Sequence, residues 1–97
     1  MIGNNSLYEI VKKINSVQEN GSYKISCGYS NGVDCTLILI SFYNSKFRSV
    51  GHITFQEETG KICRYTYKNL SFNNTENVVD LLLDIYNYEK QKYLHLN

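Results

Sequence analysis

Hydrophobic positions along the chain follow two periods. Leu7, Ile10, Val11, Ile14 and Val17 recur at helical spacing, with Tyr8, Lys12, Asn15 and Glu19 on the opposite face. Ser6 and Glu9 form an S-x-x-E capping box ahead of this run, and Asn20–Gly21 supplies a stop. The pattern predicts a helix over roughly residues 6–19. From residue 22 the period becomes two: Tyr23, Ile25, Cys27 and Tyr29 alternate with Lys24, Ser26, Gly28 and Ser30. Asn31–Gly32 is a preferred centre for a two-residue type I′ hairpin, because both residues tolerate positive φ.

That hairpin sorts the next strand into two faces. It sets Cys27 against Thr36, Ile25 against Ile38 and Tyr23 against Ile40, and directly opposed residues share a face. Ile38, Ile40 and Phe42 therefore join the tyrosine–isoleucine face, while Cys35, Leu37, Leu39 and Tyr43 take the other. The run Leu37–Ile40 fails to alternate because both faces of an interior strand are apolar there. Cys27 and Cys35 point to opposite sides in this register and cannot bridge.

A two-residue turn at Asn44–Ser45 continues the sheet. It pairs Phe42 with Phe47 and Ile40 with Ser49, and places Phe47, Ile53 and Phe55 on the core face. Glu57–Lys61 fits a type I turn closed by a bulge at Gly60, which sets Phe55 against Cys63, Ile53 against Tyr65 and Gly51 against Tyr67. Asn73 or Thr75 caps a second helix running to about residue 93. Its inner face is Val78, Leu81, Leu82, Ile85 and Tyr88, widened by Val79, Leu83 and Tyr86. The fold class expected is α+β, in the order α-β-β-β-β-α. A four-stranded antiparallel meander carries the N- and C-terminal helices on one face, a two-layer sandwich.

Composition narrows the function classes. Residues 1–97 are expected to form a single domain, large enough to bury a core without staples. No stretch approaches the ~18 apolar residues of a membrane span, and MIGNNSLYEI lacks the basic and apolar regions of a signal peptide. A cytoplasmic protein is expected. The net charge of +1 argues against nucleic-acid binding by bulk electrostatics and against an acidic mimic of nucleic acid. Three cysteines without C-x-x-C, and only two histidines, give no zinc pattern. Cys27, Cys35 and Cys63 read as reduced thiols.

Chemistry is absent from the sequence motifs. There is no glycine-rich phosphate loop, G-x-S-x-G elbow or H-E-x-x-H pair. His52 reads as an exposed strand histidine, and Glu76, Asp80 and Asp84, at i, i+4 and i+8, as a solvated or docking stripe. No catalytic residue, metal, cofactor or small-molecule site is expected, and no membrane association.

The sheet face away from the helices is more informative. It carries Cys35 and the candidate interface residues Leu37, Leu39, Tyr43, Val50 and His52, with Arg48 and Arg64 at its rim beside Lys24, Lys46 and Lys68. An apolar centre inside a polar rim is the usual composition of a contact surface. Three occupants compete: a second copy of the chain or one of its own helices, a different protein, or a nucleic acid held by Arg48, His52, Arg64 and Lys68. Base stacking needs exposed aromatics, and only Tyr43 qualifies, so nucleic acid is disfavoured against a protein partner.

The order of elements resembles that of double-stranded RNA-binding domains. Those require a lysine-rich start to the last helix, and here that start is Asn73-Asn74-Thr75-Glu76-Asn77. A closer likeness rests on the amphipathic helix NSLYEIVKKI, the strand YKIS, the turn SNG, the strand TLILISF and the closing acidic helix. In size and layout these segments resemble small phage-encoded inhibitors of bacterial defence systems, including anti-CRISPR proteins of α-β-β-β-α order. The resemblance covers most of the chain, is one of pattern, and transfers no binding residues. Several such inhibitors are strongly acidic, which this chain is not. It implies a non-enzymatic inhibitor or accessory protein that works by direct protein–protein contact, in a host cell's cytoplasm if the chain is phage-encoded.

Overall fold

A computed structural model describes residues 4–17, 21–29 and 36–95. Helix α1 (Asn4–Val17) is followed by strands β1 (Ser22–Tyr29), β2 (Thr36–Tyr43), β3 (Ser49–Gln56) and β4 (Ile62–Tyr67), then helix α2 (Val78–His95). The strands form one antiparallel sheet in the order β1-β2-β3-β4. The architecture is α+β with both helices on one side of the sheet.

The core follows from the two periodicities. Leu7, Val11 and Ile14 of α1 and Val78, Leu81, Leu82 and Ile85 of α2 are buried against Ile40, Phe42, Ile53, Phe55 and Tyr67 of the sheet. Burying this many large side chains, at about 1.5–3 kcal/mol each, is the main force holding the two layers together. Gly51 is required where β3 passes close to its neighbour β4. A Cβ there would lie 2.7 Å from the Thr66 carbonyl oxygen and 2.7 Å from the Tyr67 ring. The absent side chain lets that ring sit against the β3 backbone, where it meets Phe42 edge-on at 5.6 Å.

The β1–β2 register and the β2–β3 register up to Phe42 differ from those the turns imply by even steps that keep the faces. Ile25 pairs with Ile40 and Cys27 with Ile38, two residues from the pairing a loop at 31–32 requires. Residues 30–35, which hold Asn31–Gly32 and Cys35, lie outside the described residues. Ile40 pairs with Ile53, four residues beyond the expected Ser49. The cause is the β2–β3 loop. Phe47 N donates to Asn44 O (3.0 Å) and Asn44 N to Arg48 O (2.9 Å), so the loop spans 44–48 rather than two residues. The Asn44 Oδ1 accepts from the backbone N–H of Lys46 (2.9 Å) and Arg48 (3.1 Å), an Asx turn that fixes this longer loop. Phe47 is therefore not on the core face. It stands at the tip, 82% exposed, with φ of 61°.

At the β3–β4 turn Gly60 takes the left-handed conformation, φ 74°, as its position predicts. Ile53 faces Tyr65 and Gly51 faces Tyr67 as expected. Phe55, however, faces Ile62, because an irregularity between Thr54 and Phe55 makes Cys63 the extra residue. Cys63 is exposed rather than core.

Both helices begin away from their expected caps. Helix α1 starts at Asn4, so Ser6 lies inside it rather than at its cap. Helix α2 is capped by Asn77, whose Oδ1 accepts from Val79 N at 2.9 Å. The preceding residues pair with β4: Lys61 bridges Asn77, Ile62 N donates to Glu76 O (3.0 Å) and Val78 N to Gly60 O (2.8 Å). Glu76 thus precedes the helix, and Asp84 binds the Asn74 side chain, with its two nearest contacts at 3.1 and 3.3 Å. The acidic stripe expected at 76, 80 and 84 is not one continuous helical surface.

Candidate functional site

The uncovered face is built from the even positions of β1, the odd positions of β2, His52, Thr54 and Gln56 of β3, and Arg64 and Thr66 of β4. Cross-strand pairing arranges it in rows. Gly28, Leu37 and Gln56 make one, Ser26, Leu39, Thr54 and Arg64 the next, and Lys24, Ser41, His52 and Thr66 the third. Leu37 and Leu39 are neighbours on the same strand face, both half-buried, in an otherwise polar surround. Their flanking residues on β1 are small. A Cβ built on Gly28 would meet nothing within 4 Å. The result is a shallow depression of about 300 Å³, lined by Ser26, Gly28, Leu37, Leu39 and Thr54.

The other expected interface residues divide. His52 and Tyr43 are half-buried, and Arg64 is exposed in the Leu39 row, on the β4 side of Thr54. Tyr43 pairs with Ser22 and Ser49 at the far end of β2, away from the depression. Val50 is the residue left over by the irregularity between Phe42 and Tyr43, and its half-buried side chain packs against the core. Arg48 is exposed in the β2–β3 loop. A second open hollow, of about 450 Å³, lies between Ser49, Val50, His52, Thr66, Lys68 and Asn69.

Lys68 borders this hollow, but its charge is directed to α2. It and Asn69 have positive φ (49° and 57°), with Leu70 N donating to Tyr67 O, and this tight reversal turns the Lys68 side chain toward α2. Its Nζ lies 2.7 Å from Glu89 Oε1. The same carboxylate oxygen accepts the Tyr67 hydroxyl at 2.8 Å. Glu89 is 4% exposed, so its charge is compensated inside the protein by the Lys68 ammonium.

Periodicity does not single out Gly28, Ser26 or Phe47. The signal for the first two is a run of small residues in a strand interior, where glycine often marks close approach of another group. Phe47 gives no sequence signal, since its position follows from the Asn44 loop. Among the described residues no group of three or more His, Cys, Asp or Glu side chains is placed to hold a metal ion. No described helix is long and apolar enough to cross a membrane. No protein-family model, curated protein or solved structure matches the chain significantly.

Proposed function

We propose that the protein acts without catalysis, by binding another protein through the open face of its sheet. The observation that carries this is the pair Leu37 and Leu39, held side by side on a face that neither helix covers, beside a depression kept open by Ser26 and Gly28. Two adjacent leucines with a polar surround give a small apolar anchor, and a depression beside it accepts one protruding side chain of a partner. The pattern-level resemblance to phage-encoded inhibitors supports an inhibitory or accessory role of the mobile-element type. Assignment of Lys68 to Glu89 removes one of the four side chains that nucleic-acid binding would use.

The test is capture from a host lysate by wild type and by Leu39→Glu, with the fold of both checked by circular dichroism. Leu39 is half-buried, so the substitution is expected to cost about 1 kcal/mol and leave the protein folded. A partner retained by wild type and lost by Leu39→Glu supports the reading. A variant that does not fold makes Leu39 a core residue and ends it. Binding that collapses steeply with added salt would point to nucleic acid instead.

A further inference from the structure

The two edges of the sheet are treated differently. The β4 edge is covered near its start, where Lys61 bridges Asn77, Ile62 N donates to Glu76 O and Val78 N donates to Gly60 O. Strand β1 forms the opposite edge and runs for eight residues, SYKISCGY. Hydrogen-bond phase identifies which of its backbone groups are unused. Glu57 N donates to Thr36 O at 3.0 Å, extending the β2–β3 ladder by one hydrogen-bonded pair. Alternation then turns the N–H and C=O of Ile38 and Ile40 toward β3, and those of Leu37, Leu39 and Ser41 toward β1. There they meet Gly28, Ser26 and Lys24. The backbone groups of Tyr23, Ile25 and Cys27 consequently point away from the sheet, and no backbone partner reaches them among the described residues.

An exposed edge of this length is a template for another strand, and natural edges are usually blunted by charge, proline or bulges. Here β1 has no proline, pairs with β2 without a bulge, and carries one charge, Lys24. We infer that β1 pairs antiparallel with β1 of a second copy, joining two four-stranded sheets into one. Only an extended backbone matches the alternating donors and acceptors of Tyr23, Ile25 and Cys27. Charge and side-chain chemistry favour the chain itself over an unrelated strand. Pairing centred on Ile25 keeps the outward groups in phase and sets Lys24 against the partner's Ser26, so the two lysines do not oppose each other. Centring on Lys24 would oppose them and is disfavoured. In the Ile25 register the half-buried Tyr23 lies across from the partner's Cys27, which is exposed in the single chain, and Ile25 lies across from its copy. The apolar helix side of each edge is thereby covered by the other.

This inference goes beyond the proposed function, because it uses the edge and leaves the open face free. With strands ~4.8 Å apart, the two Leu37–Leu39 pairs would stand three spacings apart, about 14 Å, on one continuous face. A partner would then meet two anchors.

The test combines sedimentation with hydrogen exchange on the full chain. Wild type is expected to sediment as a dimer at about 100 µM. On dilution the amides of Tyr23, Ile25 and Cys27 should exchange at least about tenfold faster, while those of Lys24, Ser26 and Gly28 keep their rates. Cys27→Pro removes one outward N–H and no β2 hydrogen bond, as an edge strand tolerates, and should be a folded monomer. If Cys27→Pro fails to fold, the exchange pattern of wild type decides. A wild-type monomer at about 1 mM overturns the inference. So does a dimer whose Tyr23, Ile25 and Cys27 amides exchange at the same rate at every concentration, or one dissociated by Leu39→Glu, which would place the interface on the open face.

Discussion

Glu89 is the one charged side chain among the buried residues described, and replacing it tests how the sheet and α2 are held in register. Glu89→Ala takes the carboxylate from the Tyr67 hydroxyl and the Lys68 ammonium together. Removing one partner of a buried ion pair costs about 3–5 kcal/mol when the other charge is trapped. Lys68 is not fully trapped: its side chain is 25% exposed and can turn to water, so its share is reduced. The Tyr67 hydroxyl sits in the core and loses a charged acceptor, a loss of about 1.5–3 kcal/mol. Together these give roughly 3 kcal/mol for Glu89→Ala. At ~4–8 °C per kcal/mol for a domain of this size, the melting midpoint should fall by about 15 °C. Glu89→Gln keeps an acceptor for Tyr67 and loses only the charge, so it should cost about 1 kcal/mol. Urea unfolding of both variants, with Tyr67→Phe and the Tyr67→Phe/Glu89→Ala double variant, gives the coupling directly. A loss below about 1 kcal/mol for Glu89→Ala would refute the reasoning, because the carboxylate would then not be holding β4 to α2.

Further predictions concern backbone positions. Gly51→Ala should destabilise by about 2 kcal/mol in urea unfolding, because the new Cβ would lie 2.7 Å from a backbone oxygen that cannot step aside. Gly28→Ala, with nothing within 4 Å, should instead be neutral or stabilise by about 0.5 kcal/mol through the unfolded state. Phe47→Gly should stabilise by roughly 0.5–1 kcal/mol, since relief of a left-handed conformation outweighs the little area that an 82% exposed ring buries. A lower melting midpoint for Phe47→Gly would mean that the ring makes contacts in solution. Asn44→Ala removes the acceptor of two loop N–H groups and should cost about 1 kcal/mol by the same unfolding measurement.

The pattern of agreement between sequence and structure has one physical cause. Side chains in a strand repeat every two residues, so a register displaced by two or four leaves every residue on its face. Ile25 lies opposite Ile40 rather than Ile38, and Ile40 opposite Ile53 rather than Ser49, yet each stays on the helix side. The alternation therefore made Leu37 and Leu39 legible as residues of the uncovered face. Their actual neighbours, Gly28 and Ser26 on one side and Gln56 and Thr54 on the other, depend on loop lengths that local composition does not determine. Where the displacement was odd, the face was lost. The irregularity at Thr54/Phe55 exchanged Ile62 for Cys63, and the loop at 44–48 carried Phe47 out of the core. The partner of the Lys68 charge was illegible for a different reason. Lys68 borders the same hollow as His52, but a left-handed pair of residues directs its ammonium to Glu89, a contact 21 residues distant that no local pattern encodes.

These features divide the molecule along the sheet. The β3–β4–α2 side holds the constraints: Gly51 under the Tyr67 ring, Glu89 between Tyr67 and Lys68, and the 76–78 segment paired to β4. The β1 side holds few. Its helix-facing residues Tyr23 and Ile25 are only half-buried, Cys27 is exposed, and its outer backbone is unpaired among the described residues. Local opening is easiest where apolar contacts are fewest, so β1 should be the least protected strand of the isolated chain. The depression beside Leu37 and Leu39 borders this same strand. A partner docking on those leucines and a second copy pairing with β1 would both add contacts where the single chain has fewest. Either event should therefore slow β1 exchange more than that of β3, and the amide phase tells them apart: edge pairing protects Tyr23, Ile25 and Cys27 in preference to Lys24, Ser26 and Gly28, whereas face binding has no such alternation.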